Sequence, residues 1–533
     1  MNAIKRTPYI ICLVMCFACT PKTAIKTDTQ LSNEQIVQTP EVDPLEASIP
    51  MDPSVRIGYL DNGLKYYLKK NGKPENKAEL RLAIKAGSIL EDEDQQGLAH
   101  FVEHMAFNGT ENFEKNELID YLESVGTKFG ADLNAYTSFD ETVYMLEVRT
   151  DEEDHLDNGM TVLRDWAGGI SFDHEEIDKE RGVVVSEWRT RLSPDQRMQQ
   201  NYFPIIYQNS QYAKRLPIGQ PSIIENANYE TIKRFYNDWY RANLMALSIV
   251  GDIDIDAMEQ VIKTKFGSLS NPSNERSRTA YKVPKHNETL ISINSDPEAS
   301  FTQARIIYKH PHIEVNNLQD YRSLLTRILY NRMMNARLSE LQQEEDPPFT
   351  YSYSGYNSDV GDIDNYYCFA FCPEGGAERG LQALLRENQR VQNFGFLDSE
   401  LERAKIEMLN GVEKGLKEKD KTESRRWVMR YVYNFLENNP MTSPQQSVDL
   451  YNQFLPTIEV EEINALAKQW ITDENRVVII TGPEKEGLAQ STENEIRQLL
   501  DAAKMETLEP YVCLLYTSPS PRDATLSRMP SSA

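Results

Sequence analysis

Residues 97–113 read GLAHFVEHMAFNGTENF. On a helix, positions i, i+3, i+4 and i+7 share one face, so His100, Glu103, His104 and Phe107 form a single stripe. Leu98, Phe101, Val102 and Met105 fill the remaining faces. A helix that is apolar nearly all round is a buried helix. Burying two imidazoles and a carboxylate without partners costs on the order of several kcal/mol. A divalent cation is the economical compensation, because His at i and i+4 direct two nitrogens at one point. The sequence has only seven histidines, and two of them are spent here.

A catalytic zinc takes a third protein ligand and keeps one position open. The stretch ERGVVVSE, 180–187, supplies candidates: Glu180, Val183, Val184 and Glu187 share one helical face, and the valines predict that it turns inward. Spacing alone leaves open which glutamate reaches the metal.

Around these helices lies a mixed pattern. VRIGYL-DNG-LKYYLKK (55–70) predicts a hairpin turning at Asn62-Gly63. AELRLAIKAG (78–87) predicts a third strand, and LNAYTSFDETVYMLEVR (133–149) a strand pair. EKNELIDYLESVG (114–126), 153–169 and 173–192 read as helices, as does a segment around 230–240. NLMALSIVGDID then reads as a strand and IDAMEQVIKTKFG as a closing helix. A polar, turn-rich stretch follows, and the same order begins again: ISINSD and SFTQARIIYK as strands, SLLTRILYNRMMNARLSELQQ as a long helix, YYCFAFC as a strand, then helices to about residue 505. The expected fold is α+β, with two similar mixed sheet-plus-helix domains. The expected boundaries are 51–270, a linker at 271–288, and 289–508.

HFVEH followed by NAYTSFDETVY (134–144) and ERGVVVSE (180–187) resembles the insulinase/pitrilysin family, zinc peptidases with an inverted HxxEH motif. The resemblance runs in order across roughly residues 50 to 270, and RLSEL (337–341) resembles that family's following domain less specifically. It implies His100, His104 and Glu187 as ligands of one Zn2+ per chain, Glu103 as catalytic base, and Glu180 as the supporting acid behind the site. It also implies that Asn134 and Ala135 mark a strand edge where an extended peptide pairs. Family members enclose substrate between two such halves. This chain would form one half of a peptidase chamber, the other supplied by a C-terminal region or a partner subunit. The rival from another class is a non-catalytic binding or assembly subunit, whose usual mark is a degraded HxxEH; here the motif is intact.

The remaining sequence narrows the setting. A net charge of −25, from 57 basic and 82 acidic residues, speaks against nucleic acid as partner. Six cysteines make no CxxC pair. Cys368 and Cys372, four apart on a strand, are expected as buried free thiols on one face. Residues 1–19 carry Lys5 and Arg6 before a short apolar run and read as a signal peptide. Ala18-Cys19 resembles a bacterial lipoprotein cleavage site, so the only expected membrane contact is a lipid on Cys19, at the cell envelope, with simple secretion as the alternative. Residues 20–50 read as a tether, and 509–533, abruptly Ser- and Pro-rich, as an unrelated tail. The run EDEDQQ (91–96) reads as a solvated loop, and His155, His174 and His286 as exposed. His310 and His312 read as belonging to a Pro-containing loop.

Overall fold

The computed structural model describes residues 43–115, 117–118, 130, 133–190 and 193–512. Cys19, the signal peptide, most of the tether, most of the helix expected at 114–126, and the tail beyond 512 lie outside them.

Two mixed sheets organise the chain. The first runs in the order β1-β2-β6-β3-β5-β4, built from β1 Arg56–Tyr59, β2 Lys65–Lys70, β3 Lys77–Ile84, β4 Leu133–Thr137, β5 Thr142–Arg149 and β6 Met245–Gly251. The second runs β7-β11-β8-β10-β9, with β7 Leu290–Asp296, β8 Thr302–Pro311, β9 Tyr351–Ser358, β10 Ile363–Cys372 and β11 Arg476–Pro483. Without β1, the two are the same sheet twice. Each begins with a strand paired in parallel to its last (β2 with β6, β7 with β11), and every other pairing is antiparallel. The α+β class and the duplication are both present. Two strands went unread in the sequence, β9 and β11.

The composition of each strand follows from its place. β6 (MALSIVG) and β11 (RVVIITGP) are buried along their whole length, as central strands covered on both faces are. The β1–β2 turn uses Asn62-Gly63, with Gly63 at φ 89°, a left-handed backbone that glycine adopts without strain.

The helices among the described residues include α1 Leu98–Met105, α2 Glu153–Gly168, α3 His174–Thr190, α4 Pro194–Ile206, α5 Tyr229–Trp239, α6 Ile255–Phe266, α7 Leu318–Gln342, α8 Ala377–Phe394 and α9 Ser424–Glu437. α2 packs on β3 and β5 and α6 on β2; α7 packs on β9, and α8 on β8 and β10. The two halves exchange helices. α9, from the second half, lies on β3 and β6 of the first sheet. There Tyr431 stacks on Tyr67 at 5.8 Å, and the Tyr67 hydroxyl donates to Asn434 Oδ1 at 2.7 Å. The buried Glu79–Arg81 pair lies under the same helix, with Arg425 of α9 at 3.4 Å from Glu79. Reciprocally, α4 packs on β7 and β11; Arg197 forks onto Asp296 with both bonds at 2.6 Å, and Lys309 donates to the Ile206 carbonyl at 2.6 Å. The linker is therefore no free tether between independent bodies. Its Arg276 and Arg278 bind Asp92 and Asp140, and Val283 and His286 are buried.

The body continues past residue 508: the Tyr511 hydroxyl donates to Glu340, and its ring lies 4.1 Å from the Arg337 guanidinium. Cys368 and Cys372 are buried free thiols, as expected. No helix among the described residues is long and apolar enough to cross a membrane.

Candidate metal centre

α1 is buried almost entirely: Leu98, Ala99, Phe101, Val102 and Met105 have no exposed surface. It starts at Gly97, whose φ of 99° admits the chain from the preceding loop. That loop is not the solvated acidic run the sequence suggests. Glu91 is 3% exposed, and its Oε1 accepts the backbone N–H of Gly97 at 3.0 Å and of Ala99 at 2.8 Å, satisfying donors that a helix start leaves bare. Gln95 is buried as well and donates to the Thr231 carbonyl on α5. Glu93 and Asp94 do face solvent, because loop polarity does not say which of several acids turns inward.

His100 and His104 project from α1 toward α3, with their Nε2 atoms 3.2 Å apart. Glu187 of α3 reaches both: Oε2 lies 3.0 Å from His104 Nε2, and Oε1 lies 3.8 Å from His100 Nε2. One donor atom from each of the three residues lies within 4.8 Å of the other two. Glu180, one helical turn pair earlier, takes another position. Its Oε1 is 2.7 Å from His104 Nδ1, and its Oε2 accepts from Asn108 Nδ2 at 2.8 Å. The geometry thus separates the two glutamates that spacing left equivalent. The inward face of α3 is only half as expected: Val184 is fully buried, whereas Val183 is 51% exposed and lines the cleft.

Burial draws the His104 imidazole down, but Glu180 and Glu187 outweigh it and hold the ring at about 9. Two carboxylates against one imidazole make a concentration of negative charge that a cation would balance. Two imidazole nitrogens and a carboxylate oxygen, converging, with one ring steadied through its other nitrogen, form a donor set suited to zinc.

Glu103 stands beside this trio and outside it. Its Oε2 accepts from the Thr137 hydroxyl at 2.5 Å, which fixes the carboxylate from β4. The adjoining cleft, about 640 Å³, runs from the three candidate ligands to the β4 edge at Asn134 and Ala135 and is walled by Phe107, Val183, Trp188 and Phe203. Among the described residues β4 pairs only with β5, leaving its other edge toward the cleft. Sequence reasoning missed Glu91, Asn108 and Thr137. Asn108 alone had a signal, four residues after His104 and so on the same stripe.

Two family models match the chain: insulinase (peptidase family M16) over residues 66–217 and the peptidase M16 inactive domain over 226–408. The chain belongs to the insulinase family of peptidases. A zinc protease PQQL-like of Arabidopsis thaliana is 30% identical over 455 residues, covering 85% of this chain and 45% of the relative. The probable zinc protease PqqL of Escherichia coli K12 is 29% identical, covering 80% and 45%. The chain spans about half the length of these curated relatives. Among solved structures it is similar to the first half of the periplasmic protease PqqL from Escherichia coli, at TM-score 0.81 and 27% identity, covering 88% of this chain and all of that one. In this insulinase-family member the matched inactive-domain segment runs from α5, β6 and α6 at the end of the first half through β7 to β10 and α8, and carries no counterpart of HFVEH.

Proposed function

We propose that the chain is the metal-bearing half of an exported zinc metalloendopeptidase that hydrolyses peptide bonds in peptides or small unfolded proteins. The observation that carries this is the convergence of His100, His104 and Glu187 beside Glu103, in a cleft bordered by an open strand edge. His100 Nε2, His104 Nε2 and Glu187 would hold one zinc. When bound, it supplies Lewis acidity to the reacting carbonyl and to water. Glu103, fixed by Thr137, takes a proton from the attacking water and returns it to the leaving amine. Glu180 accepts the His104 Nδ1–H, so that Nε2 keeps its lone pair for the metal. The β4 edge at Asn134 and Ala135 receives an extended peptide through main-chain hydrogen bonds, which are indifferent to side chains. Phe107, Val183, Trp188 and Phe203 favour an apolar side chain next to the cut.

The leader directs export and Cys19 carries a lipid, in keeping with relatives named as periplasmic. A second peptidase half, from further chain or a partner subunit, completes the chamber. The substrates are peptides, and nucleic acid is not among them.

The test is Glu103→Gln against a quenched fluorescent peptide library. Turnover is expected to fall by about 10²–10⁴-fold with zinc content unchanged. Undiminished turnover in Glu103→Gln would overturn Glu103 as the base, and a wild-type chain without turnover would leave a binding or assembly role as the better description.

A further inference from the structure

The duplication places a second cleft where the first sheet has its metal centre. α1 follows β3 and faces the edge strand β4; in the second half α7 follows β8 and packs on the edge strand β9. A cleft of about 1040 Å³ opens there, lined by residues of α7, of β9 and of the chain after β8, with Asp364, Glu407 and residues of α9 closing its far side, at the large end of the range for ligand pockets. On α7 it presents Arg327.

Six arginines of the described residues are buried: Arg81, Arg215, Arg241, Arg327, Arg337 and Arg476. Five have a carboxylate within 4.0 Å: Glu79, Glu93, Glu275, Glu387 with Glu400, and Asp473 respectively. Arg327 alone has none, in a chain with 25 more acidic than basic residues. It is 8% exposed. Its guanidinium lies 5.5 Å from the Tyr356 ring centroid, and none of its nitrogens is among the sealed, unpartnered atoms, so the charged end reaches the cleft.

The nearby acids are committed elsewhere. Asp364, 3% exposed, accepts from His312 Nδ1 at 2.7 Å and from the Ile313 N–H at 3.1 Å. Asp320 accepts the N–H groups of Asn316 and Asn317 at the start of α7. Glu407 pairs with Arg332 at 3.1 Å, and Glu437 accepts from Asn439. Burial pulls the Arg327 guanidinium below its ordinary range, opposed more weakly by Tyr356, Asp364 and Asp320. A desolvated guanidinium with its donors unspent gains most from an oxyanion that meets its fork in bidentate fashion.

We propose that the cleft between α7 and β9 is an oxyanion subsite in which Arg327 receives a carboxylate or phosphate group. The repeated fold would then carry two clefts, one holding a cation and one receiving an anion at Arg327, the basic side chain of that lining left without a carboxylate partner. This site does not depend on the peptidase reading.

Calorimetric titration of the wild-type chain with inorganic phosphate at low ionic strength tests for a small free anion. Anisotropy of a labelled peptide ending in Asp-Glu, against its amidated Asn-Gln counterpart, tests for a peptide carboxylate; it uses the Glu103→Gln protein so that no cleavage intervenes. At least one arm is expected to show saturable binding of one anion per chain. Arg327→Met should weaken it roughly tenfold or more, and Arg327→Lys, which keeps the charge but loses the fork, several-fold. Arg332→Gln, in the same cleft but already paired, should leave it within about twofold. Phosphate binding alone identifies a small oxyanion, and preference for the acidic peptide identifies a carboxylate on a chain. Absence of saturable binding in both arms overturns the site, the peptide arm being run on chelator-treated wild type should Glu103→Gln not fold. Binding that survives Arg327→Met, or Arg327→Lys should the methionine variant not fold, overturns its assignment to Arg327.

Discussion

At the scale of single residues, the candidate centre depends on side chains that act through others. Glu180 is the clearest. Its bond to His104 Nδ1 orients the ring, so Glu180→Gln should lower zinc affinity about 10–100-fold, read by competition with a chromogenic chelator. Glu91 acts on the main chain instead. Burial pushes its carboxyl up to about 8, although the N–H groups of Ala99 and Gly97 and the charge of Arg215 pull the other way. A folded value above the unfolded 4.5 means that its contribution is fully present below about pH 4.5. It is lost as pH rises toward 8, at on the order of 1.4 kcal/mol per pH unit. Glu91→Gln should therefore grow more stable relative to wild type between pH 5 and pH 8, measured as the difference in urea midpoints. His100, Glu103 and His104 were legible because one helix carries all three at helical spacing. Glu187 needed the family resemblance, since nothing in ERGVVVSE distinguishes it from Glu180. Glu91 was not legible: its partners are backbone N–H groups, which leave no trace in residue identity.

At the scale of elements, what matters is how α1 is seated. Gly97, which caps its start, meets the loop before the helical turn at 221–226, where a Cβ on Gly219 would lie 2.1 Å from the Gly97 Cα, and Gly219 itself sits at φ 69°. Gly219→Ala should cost on the order of 1–3 kcal/mol and shift α1. Its expected signature is a lowered melting temperature together with weaker zinc retention, followed by thermal unfolding with metal analysis of the same sample. The first sheet was legible strand by strand through alternation and the Asn62-Gly63 turn. In the second, β9 (YSYSGYNS) escaped because serine, glycine and asparagine imitate a loop. There the strand is carried by pairing with β10 along eight residues. β11 (RVVIITGP) escaped among the helices around it because an apolar run buried along its whole length shows no alternation to set it apart from a buried helix segment.

At the scale of the molecule, the exchange of α4 and α9 makes the two sheets one folding problem. A chain ended at residue 270 would lose α9 and bare the face of the first sheet around Tyr67, Ala246 and Val250. It should bind a hydrophobic dye and lack a sharp thermal transition, while the chain through residue 512 melts cooperatively. A sharp, dye-silent transition from the shorter chain would show that the halves fold apart. The order of elements revealed the duplication in the sequence; the helix exchange was not visible, because a helix facing a distant sheet looks like any amphipathic helix. Elemental analysis by mass spectrometry, on purified wild-type protein and on His104→Ala and Glu187→Gln, tests the metal centre most directly. One zinc per wild-type chain is expected, with substantial loss from both variants. No stoichiometric metal in the wild type, or full zinc in either variant, would contradict it.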